Sequence, residues 1–566
     1  MPALPKYVGA LDQGTSSTRF MLFDEAGAVA SRAQAEHTQL YPRPGWVEHD
    51  PLEIWQRTLE VISRALGGIS PEQVCAIGIT NQRETTVVWD KRTGKPLYNA
   101  IVWNCTRTDE LAHRTAARFQ DGKDHLRAQT GLPIVPYFSA TKLVWLFENV
   151  PGLFEAALAG DAIFGTIDTW LIWKLTGGRE HVTDVSNGSR TLLMNIHTLQ
   201  WDPELLEIFG VPEKMLPRIA PSSSKNIGLC DGAVVPGLAN VPITGILGDQ
   251  QAATFGQVCF SPGQAKATFG TGAFIMMNTG IKAVASKNGL LTTVGWQLGE
   301  GEKPTYCLEG GVAYAGSLVQ WARDNLKIIK DASETEGICK SVDDNGGVYV
   351  VPAFAGLFAP YWRSDARGVI CGLTAFNTSA HLVRACVEAS AYQVKDILDA
   401  MASDSNVRLH TLRCDGGMTA NAFLMQFQAD MVDVDVAVPS VSETTALGAA
   451  FAASLAVGFF KDLDSLSSQW KKAREWKPHM GSAQREYYAR HWAMAVDRSL
   501  DWHVTEPSPF EAVRMKHVRS GSSGKDLEHM EKPQSTASSA ITMRVAVVVA
   551  LAAVAFLSGR RSVSSR

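Results

Sequence analysis

Apolar residues come in short runs separated by polar turns at the start of the chain. Tyr7–Leu11 is apolar, Asp12–Arg19 is polar, and Phe20–Phe23 is apolar again. This pattern predicts a buried strand, a tight polar turn and a returning strand. Asp24-Glu-Ala-Gly27 is a turn, and Ala28–Gln34 predicts the third strand of a meander. Asp50 followed by Pro51 predicts a helix start, with aspartate as cap and proline in the first turn. Ile54, Trp55, Leu59, Ile62 and Leu66 follow at helical spacing and are read as core. Val74–Thr80 is a short buried strand that ends in the polar cluster Asn81-Gln-Arg-Glu-Thr85.

Helical sequence fills the chain from Asn104 to about Gln129, and a helix carrying Lys142, Trp145 and Leu146 follows the Pro133–Pro136 loop. Ser222–Lys225 and Gly228–Pro242 are expected to be surface loops. Val241–Leu247 predicts another strand, again ending in glycine and an acid, Gly248-Asp249. Ala265–Met277 predicts a second hairpin around Gly270-Thr271-Gly272. Val348–Phe354 is a strand, His381–Met401 an amphipathic helix, and Leu409–Asn421 a strand, a Gly-Gly turn and a helix start. Glu443–Ala450 opens a helix of small residues that can pack closely. The hairpins at 7–23 and 265–277 are weak signs of a duplicated fold, since the residues between them do not visibly repeat.

Gly14 lets the backbone approach a bulky anion, and hydroxyls, backbone N–H groups and the Arg19 fork can bind phosphate oxygens. Asp12 stands where it could hold hydrated Mg²⁺ beside that phosphate. Read alone, the stretch fits an ordinary hairpin with a polar tip equally well.

The 566 residues are too many for one ordinary core. A net charge of −4, with no basic patch interleaved with aromatics in the body, gives no reason to expect nucleic acid. The charge is uneven: Pro507–Arg566 holds nine Lys/Arg against four Asp/Glu, a net of +5, which leaves the body at about −9. Nine scattered cysteines without a C-x-x-C pair point to reduced thiols and to neither a zinc site nor a disulfide framework. No secretory signal opens the chain. Residues 507–540 have the composition of a flexible linker. Val545–Leu557 is apolar, with Arg544 before it and Arg560, Arg561 and Arg566 after it. It is shorter than the roughly 20 residues of a comfortable span. With Ile541 and Met543 added, the stretch 541–566 is expected to be a C-terminal tail anchor.

The chain has no G-x-x-x-x-G-K-[ST], G-x-G-x-x-G, G-x-S-x-G or H-E-x-x-H motif. Rossmann, P-loop, hydrolase and zinc-peptidase readings fall together. What remains is a set of glycine turns after strands, at 12–19, 270–272 and 415–417. With Gly45-Trp-Val-Glu-His-Asp50, Thr80-Asn-Gln-Arg-Glu-Thr85, Ile101-Val-Trp103, Gly165–Trp173, Gly248-Asp-Gln-Gln-Ala252 and Phe269-Gly-Thr-Gly272, they resemble the FGGY family of carbohydrate kinases. Within it, they resemble in particular the members that phosphorylate glycerol. Tyr137–Asn149 and Gly368–Glu388 resemble the family's two signatures, and the resemblance spans roughly residues 6 to 500.

It implies an α/β fold of two actin-like ATPase (ribonuclease H-like) domains flanking a deep cleft. An N-terminal domain at 6–256 and a C-terminal domain at 262–506 would be followed by the linker and the short hydrophobic tail. By the same resemblance, glycerol lies against Arg83, Glu84, Tyr137, Asp249 and Gln250, with Trp103 and Phe274 as apolar walls. Asp249 is the general base. Thr15, Ser16, Ser17 and Arg19 hold the phosphates of ATP from one side and Thr271 from the other. Gly316, Gln320, Gly417 and Asn421 line the adenosine end, and Asp12 positions Mg²⁺ through water. The implied activity is ATP-dependent formation of sn-glycerol 3-phosphate and ADP, feeding glycerol catabolism and glycerolipid synthesis. A homo-oligomer, dimer or tetramer, is implied too. Its body would be cytoplasmic and tail-anchored at the mitochondrial outer membrane. The alternatives are another polyol or pentulose kinase of the family and an inactive actin-like scaffold.

Overall fold

The computed structural model describes residues 4–502. Tyr7–Gln13 (β1), Ser17–Phe23 (β2) and Val29–Glu36 (β3) form the expected antiparallel meander. Val74–Asn81 (β4) adds parallel to β1, and Pro242–Gly248 (β6) adds parallel to β4. Ser223–Leu229 (β5) closes that edge antiparallel to β6, giving the order β5-β6-β4-β1-β2-β3. The expectation of a surface loop at Ser222–Lys225 is corrected here. Serine hydroxyls replace the apolar signal of a strand: Ser222 Oγ donates to Asp184 at 2.7 Å and Ser223 Oγ to the Ala452 carbonyl at 2.7 Å.

The second sheet repeats this plan. Gln264–Phe269 (β7) and Ala273–Gly280 (β8) form the second hairpin, and Leu291–Trp296 (β9) and Thr305–Val312 (β10) extend it. Thr411–Asp415 (β11) lies parallel to β7, Val436–Pro439 (β12) parallel to β11, and Lys472–Trp476 (β13) antiparallel to β12. The order is β9-β10-β8-β7-β11-β12-β13. Its middle five strands, 10-8-7-11-12, match 3-2-1-4-6 of the first sheet in order and in direction. The duplication hinted at by two glycine turns is therefore complete at the level of topology.

Helix Pro51–Leu66 (α1) starts as expected, with the Asp50 side chain accepting from the Leu52 N–H. Ile54 and Trp55 are buried with β2 in one core. Asp249–Gly256 (α2) leaves β6, and Thr444–Val457 (α6) leaves β12 at the matching position. Between them in sequence come Gly316–Asp324 (α3), Ser379–Ser405 (α4) and Ala422–Val432 (α5).

The small residues of α6 let it lie directly on the first sheet. A Cβ on Gly78 would fall on the Ala449 carbonyl, and one on Gly448 would fall on the Ala252 carbonyl of α2. Thr244 Oγ1 donates to the Ala453 carbonyl at 2.9 Å. The second half thus contributes a helix to the first half's core, which places the ends of β6 and β12, and both helix starts, side by side.

The expected linker 507–540 and tail 541–566 lie outside the described residues. Among the described residues no helix is long and apolar enough to cross a membrane.

Candidate active site

The chemistry gathers where the strands of the first sheet end. Arg83 and Glu84 follow β4 in a tight turn closed by the Thr85 N–H on the Arg83 carbonyl, 2.7 Å. Glu84 has φ 59°, a conformation that costs a non-glycine residue energy and tends to occur where a side chain is aimed for function. Its carbonyl accepts from Thr86 Oγ1 and Ser139 Oγ, both at 3.1 Å, which holds the turn. Asp249 begins α2 after β6, and its Oδ1 lies 3.2 Å from Arg83 Nε. Arg83, Glu84 and Asp249, chosen from sequence, are thus brought together. Arg83 and Glu84 are buried, whereas the Asp249 side chain keeps 30% of its surface open, as a group that meets a substrate must.

Three neighbours escaped the sequence reading. Glu309 on β10 grips Arg83 bidentately, with Oε2 2.6 Å from Nη1 and Oε1 2.7 Å from Nη2. Arg190 Nε donates to Glu84 Oε1 at 2.6 Å. Lys266 on β7 donates to the Gln250 side-chain oxygen and to Thr268 Oγ1. A charged residue inside an otherwise apolar stretch was the available signal, as in Tyr306-Cys-Leu-Glu309 and Ala265-Lys-Ala267.

Burial raises the Asp249 carboxyl above the ordinary aspartate range. Arg83 and Lys266 pull it back down, and Glu309 pushes it further up. Burial likewise raises Glu84, against the pull of Arg190 and Arg83. Burial works to raise Glu309 too, but Arg190 and Arg83 outweigh it and bring that carboxyl down to about 2. The cluster therefore holds one firmly ionised acid, Glu309, and a more basic one, Asp249, on two sides of the same guanidinium.

Trp103 and Tyr137 form one wall, their rings edge to face with centroids 5.5 Å apart. The Arg190 guanidinium lies over the Tyr137 ring at 5.8 Å. Phe274 sits on β8, half-buried, opposite Gly311.

The first glycine turn is tied to this wall. Trp103 Nε1 donates to Thr15 Oγ1 at 2.9 Å, and the Gly14 N–H closes on the Ser17 carbonyl at 2.9 Å. The Ser16 carbonyl accepts the His37 N–H, and Ser17 Oγ accepts from Gln34 Nε2 at 3.1 Å. Arg19 Nη1 lies 3.1 Å from Asp12 Oδ2 and 3.3 Å from Glu443 Oε2, so two carboxylates from the two halves meet one guanidinium. Burial raises Asp12; Arg19 lowers it and Glu443 raises it.

The second glycine turn is built from backbone. The Gly316 N–H donates to the Gly270 carbonyl, and the Ala315 and Ser317 N–H groups to that of Thr271, each at 2.9 Å. A Cβ on Gly316 would stand 2.5 Å from the Gly270 oxygen, so the turn and the start of α3 can meet only through glycine. Gln320 lies one turn further along α3, half-buried. Gly416, at φ 91°, abuts the Phe269 backbone, whereas Gly417 has no atom within 4 Å of where a side chain would begin. Asn421 caps α5: its Oδ1 accepts from the Leu424 N–H at 2.9 Å, and its amide donates to Thr335.

Two duplicated sheets, a charged cluster at one set of strand ends and a glycine-lined backbone cradle at the other define a two-domain kinase of the actin-like ATPase fold. Residues 7–256 match the N-terminal domain and 265–457 the C-terminal domain of the FGGY family of carbohydrate kinases. The chain is 56% identical over 506 residues to a glycerol kinase of Roseiflexus sp., covering 88% of this chain and all of that one. It is 54% identical over 503 residues to glycerol kinase 2 of Streptomyces avermitilis, covering 88% and 98%. The crystal structure of Plasmodium falciparum glycerol kinase with ADP superposes with a TM-score of 0.84 at 41% identity, over 88% of this chain and 98% of that one. The chain belongs to the FGGY family of carbohydrate kinases.

These relatives correct one expectation. The Roseiflexus protein is matched over its whole length by 88% of this chain, so it has no counterpart of an added membrane segment. No described helix could cross a membrane either. The transmembrane tail anchor, the membrane partner and the mitochondrial outer-membrane location are withdrawn. A 13-residue apolar run is shorter than a span requires.

Proposed function

We infer that this protein transfers the γ-phosphoryl group of ATP to glycerol, forming sn-glycerol 3-phosphate and ADP. The observation that carries this is the Asp249 carboxylate, open to solvent on one side and set against Arg83 beside Glu84. A small polyol needs donors and acceptors for each hydroxyl and apolar contact for its carbons. Arg83, Glu84, Tyr137 and Gln250 supply the first; Trp103 and Phe274 supply the second. Asp249 accepts the proton of the attacking hydroxyl, whose oxygen bonds to the γ-phosphorus while the bond to the ADP oxygen breaks. The raised basicity of Asp249 suits that task. The transition state is largely loose, so alignment and charge neutralisation supply most of the acceleration.

Thr15, Ser16, Ser17 and Arg19 bind the phosphates from the first half and Thr271 from the second. Gly316, Gln320, Gly417 and Asn421 line the space for the nucleoside. Asp12 and Glu443 facing Arg19 make an oxygen-rich corner that suits a hydrated divalent cation, and Asp12 would hold Mg²⁺ there through water. Mg²⁺ supplies charge neutralisation on the phosphates. Residues 6–256 and 262–506 would form the two domains, with the site in a deep cleft between them. Assembly as a dimer or tetramer follows from the family resemblance alone, and sedimentation of the purified chain tests it.

A coupled assay of ADP release with glycerol, with xylulose and with no acceptor tests the function. Release that depends on glycerol supports it. Release with xylulose alone makes the protein a pentulose kinase, and no release in any of the three arms leaves an inactive scaffold.

A further inference from the structure

Arg83 carries five N–H donors, and the structure shows three of them hydrogen-bonded, with Nε in ion-pair contact. Nη1 faces Glu309 Oε2 at 2.6 Å and Gln251 Oε1 at 3.3 Å, Nη2 faces Glu309 Oε1 at 2.7 Å, and Nε faces Asp249 Oδ1 at 3.2 Å. One Nη2 hydrogen is left for a substrate hydroxyl. Glu309 also touches Arg190, with Oε2 3.4 Å from Nη1, while Arg190 holds Glu84. Both ends of the polyol clamp, donor and acceptor, therefore hang on one carboxylate. Glu309 comes from the second sheet, on β10, whereas Arg83 and Glu84 follow β4 of the first.

We propose that Glu309 is a positioning residue for the acceptor site: by fixing the Arg83 fork and balancing Arg190, it sets how Arg83 and Glu84 present themselves to glycerol. It makes no contact with the reacting atoms. A bidentate carboxylate–guanidinium pair fixes the plane of the guanidinium, and a monodentate or neutral partner does not. Without it the Arg83 fork would be drawn toward the other carboxylates in reach, Asp249 at 3.2 Å and Glu84 at 3.8 Å from Nε. The charged groups facing Glu309 are Arg83, Arg190 and Lys266; Asp249 and Glu84 complete the cluster. The proposal rests on the reading of Arg83, Glu84 and Asp249 as the polyol site.

The test is steady-state kinetics of Glu309→Gln and Glu309→Asp in the full chain, with Arg83→Lys as a parallel variant. Glu309→Gln is expected to raise the KM for glycerol about tenfold or more while the KM for ATP stays within about twofold, since misplacing a positioning group by ~1 Å costs up to about a hundredfold. It should also move the acidic limb of kcat/KM to lower pH, because removing the Glu309 charge removes a group that holds the Asp249 carboxyl up. A role in folding alone would leave that limb in place. Glu309→Asp keeps the charge but not the reach, so glycerol KM should rise while the limb stays near its original position. If Arg83→Lys raises the glycerol KM and a folded Glu309→Gln changes neither KM nor the limb, the proposal is overturned and the polyol site stands. If neither variant moves the glycerol KM, the polyol site itself falls, and the proposal with it. Should Glu309→Gln fail to fold, an unchanged glycerol KM in Glu309→Asp overturns the proposal.

Discussion

The two sheets share strand order and direction yet carry opposite chemistry at equivalent places. After the fourth strand, the first half has Arg83 and Glu84, both buried and charged. The second half, after β11, has Gly416 and Gly417. At the hairpin, the first half has a turn of hydroxyls tied to Trp103, and the second has Gly270-Thr271-Gly272 held mainly through its backbone carbonyls, with Ser317 Oγ adding one bond to that of Thr271. A fold that places loop ends face to face leaves each half free to specialise. One became the chemical wall, where charge must be exact in sign and place. The other, in the proposed reading, is the wall of space and amide groups, where a bulky nucleoside would need room. Charges also cross between them: Glu309 reaches from the glycine-rich half to grip Arg83, as Lys266 reaches Gln250 and Glu443 reaches Arg19.

If this division is right, Asp249→Asn should lower kcat by about a thousandfold, within the range for removal of a general base. Thermal unfolding should be little changed, since the Asp249 side chain is part-open. A folded variant with near-native turnover would break the comparison at its strongest point.

Gly417→Val should do the opposite kind of damage. No atom lies near where its side chain would begin, so the protein should keep its melting temperature. The nucleoside would meet the new side chain, and the KM for ATP should rise about tenfold, roughly the 1–3 kcal/mol of a steric misfit. Glycerol KM should stay unchanged; a rise in it would mean the two walls are not separate.

The pH profile comes next in size. As a general base Asp249 would work deprotonated, and burial raises its carboxyl. Activity is therefore present above that pKa and lost as pH falls through it, about tenfold per unit. The acidic limb of kcat/KM should lie above the ordinary aspartate value of about 3.9. A limb at or below that value would remove the proposed basicity.

The smallest effect joins the two sides. Trp103→Phe keeps an aromatic wall but loses the indole N–H on Thr15. One hydrogen bond near 1 kcal/mol corresponds to about a fivefold loss. It should appear in the KM for ATP, measured with glycerol saturating.

Much of this was legible from the sequence because glycine turns after apolar runs are local signals. β1 and β2 could be read that way, α1 from its Asp50-Pro51 start and helical spacing, α6 from its small residues, and 81–85 as a polar cluster at a strand end. Glu309 and Arg190 were not, since their meaning depends on partners 226 and 106 residues away in the chain. β5 carries no apolar signal at its start, because Ser223 and the Ser222 before it are buried through hydroxyl bonds to the Ala452 carbonyl and Asp184. The duplication was faint in sequence because topology conserves strand order and direction, which many side chains can satisfy.

Gly78 and Gly448 carry a further consequence. The helix that closes the first sheet is encoded near the end of the second half, after residue 443. A fragment ending at residue 256 would expose Gly78, Gly245 and the apolar strand faces that Ala449 and Ala453 now cover. The two halves, alike in plan and descended in topology from one pattern, are not interchangeable parts. Each needs the other's chain to be whole, so a ribosome must release nearly all of the catalytic body before its first sheet can close.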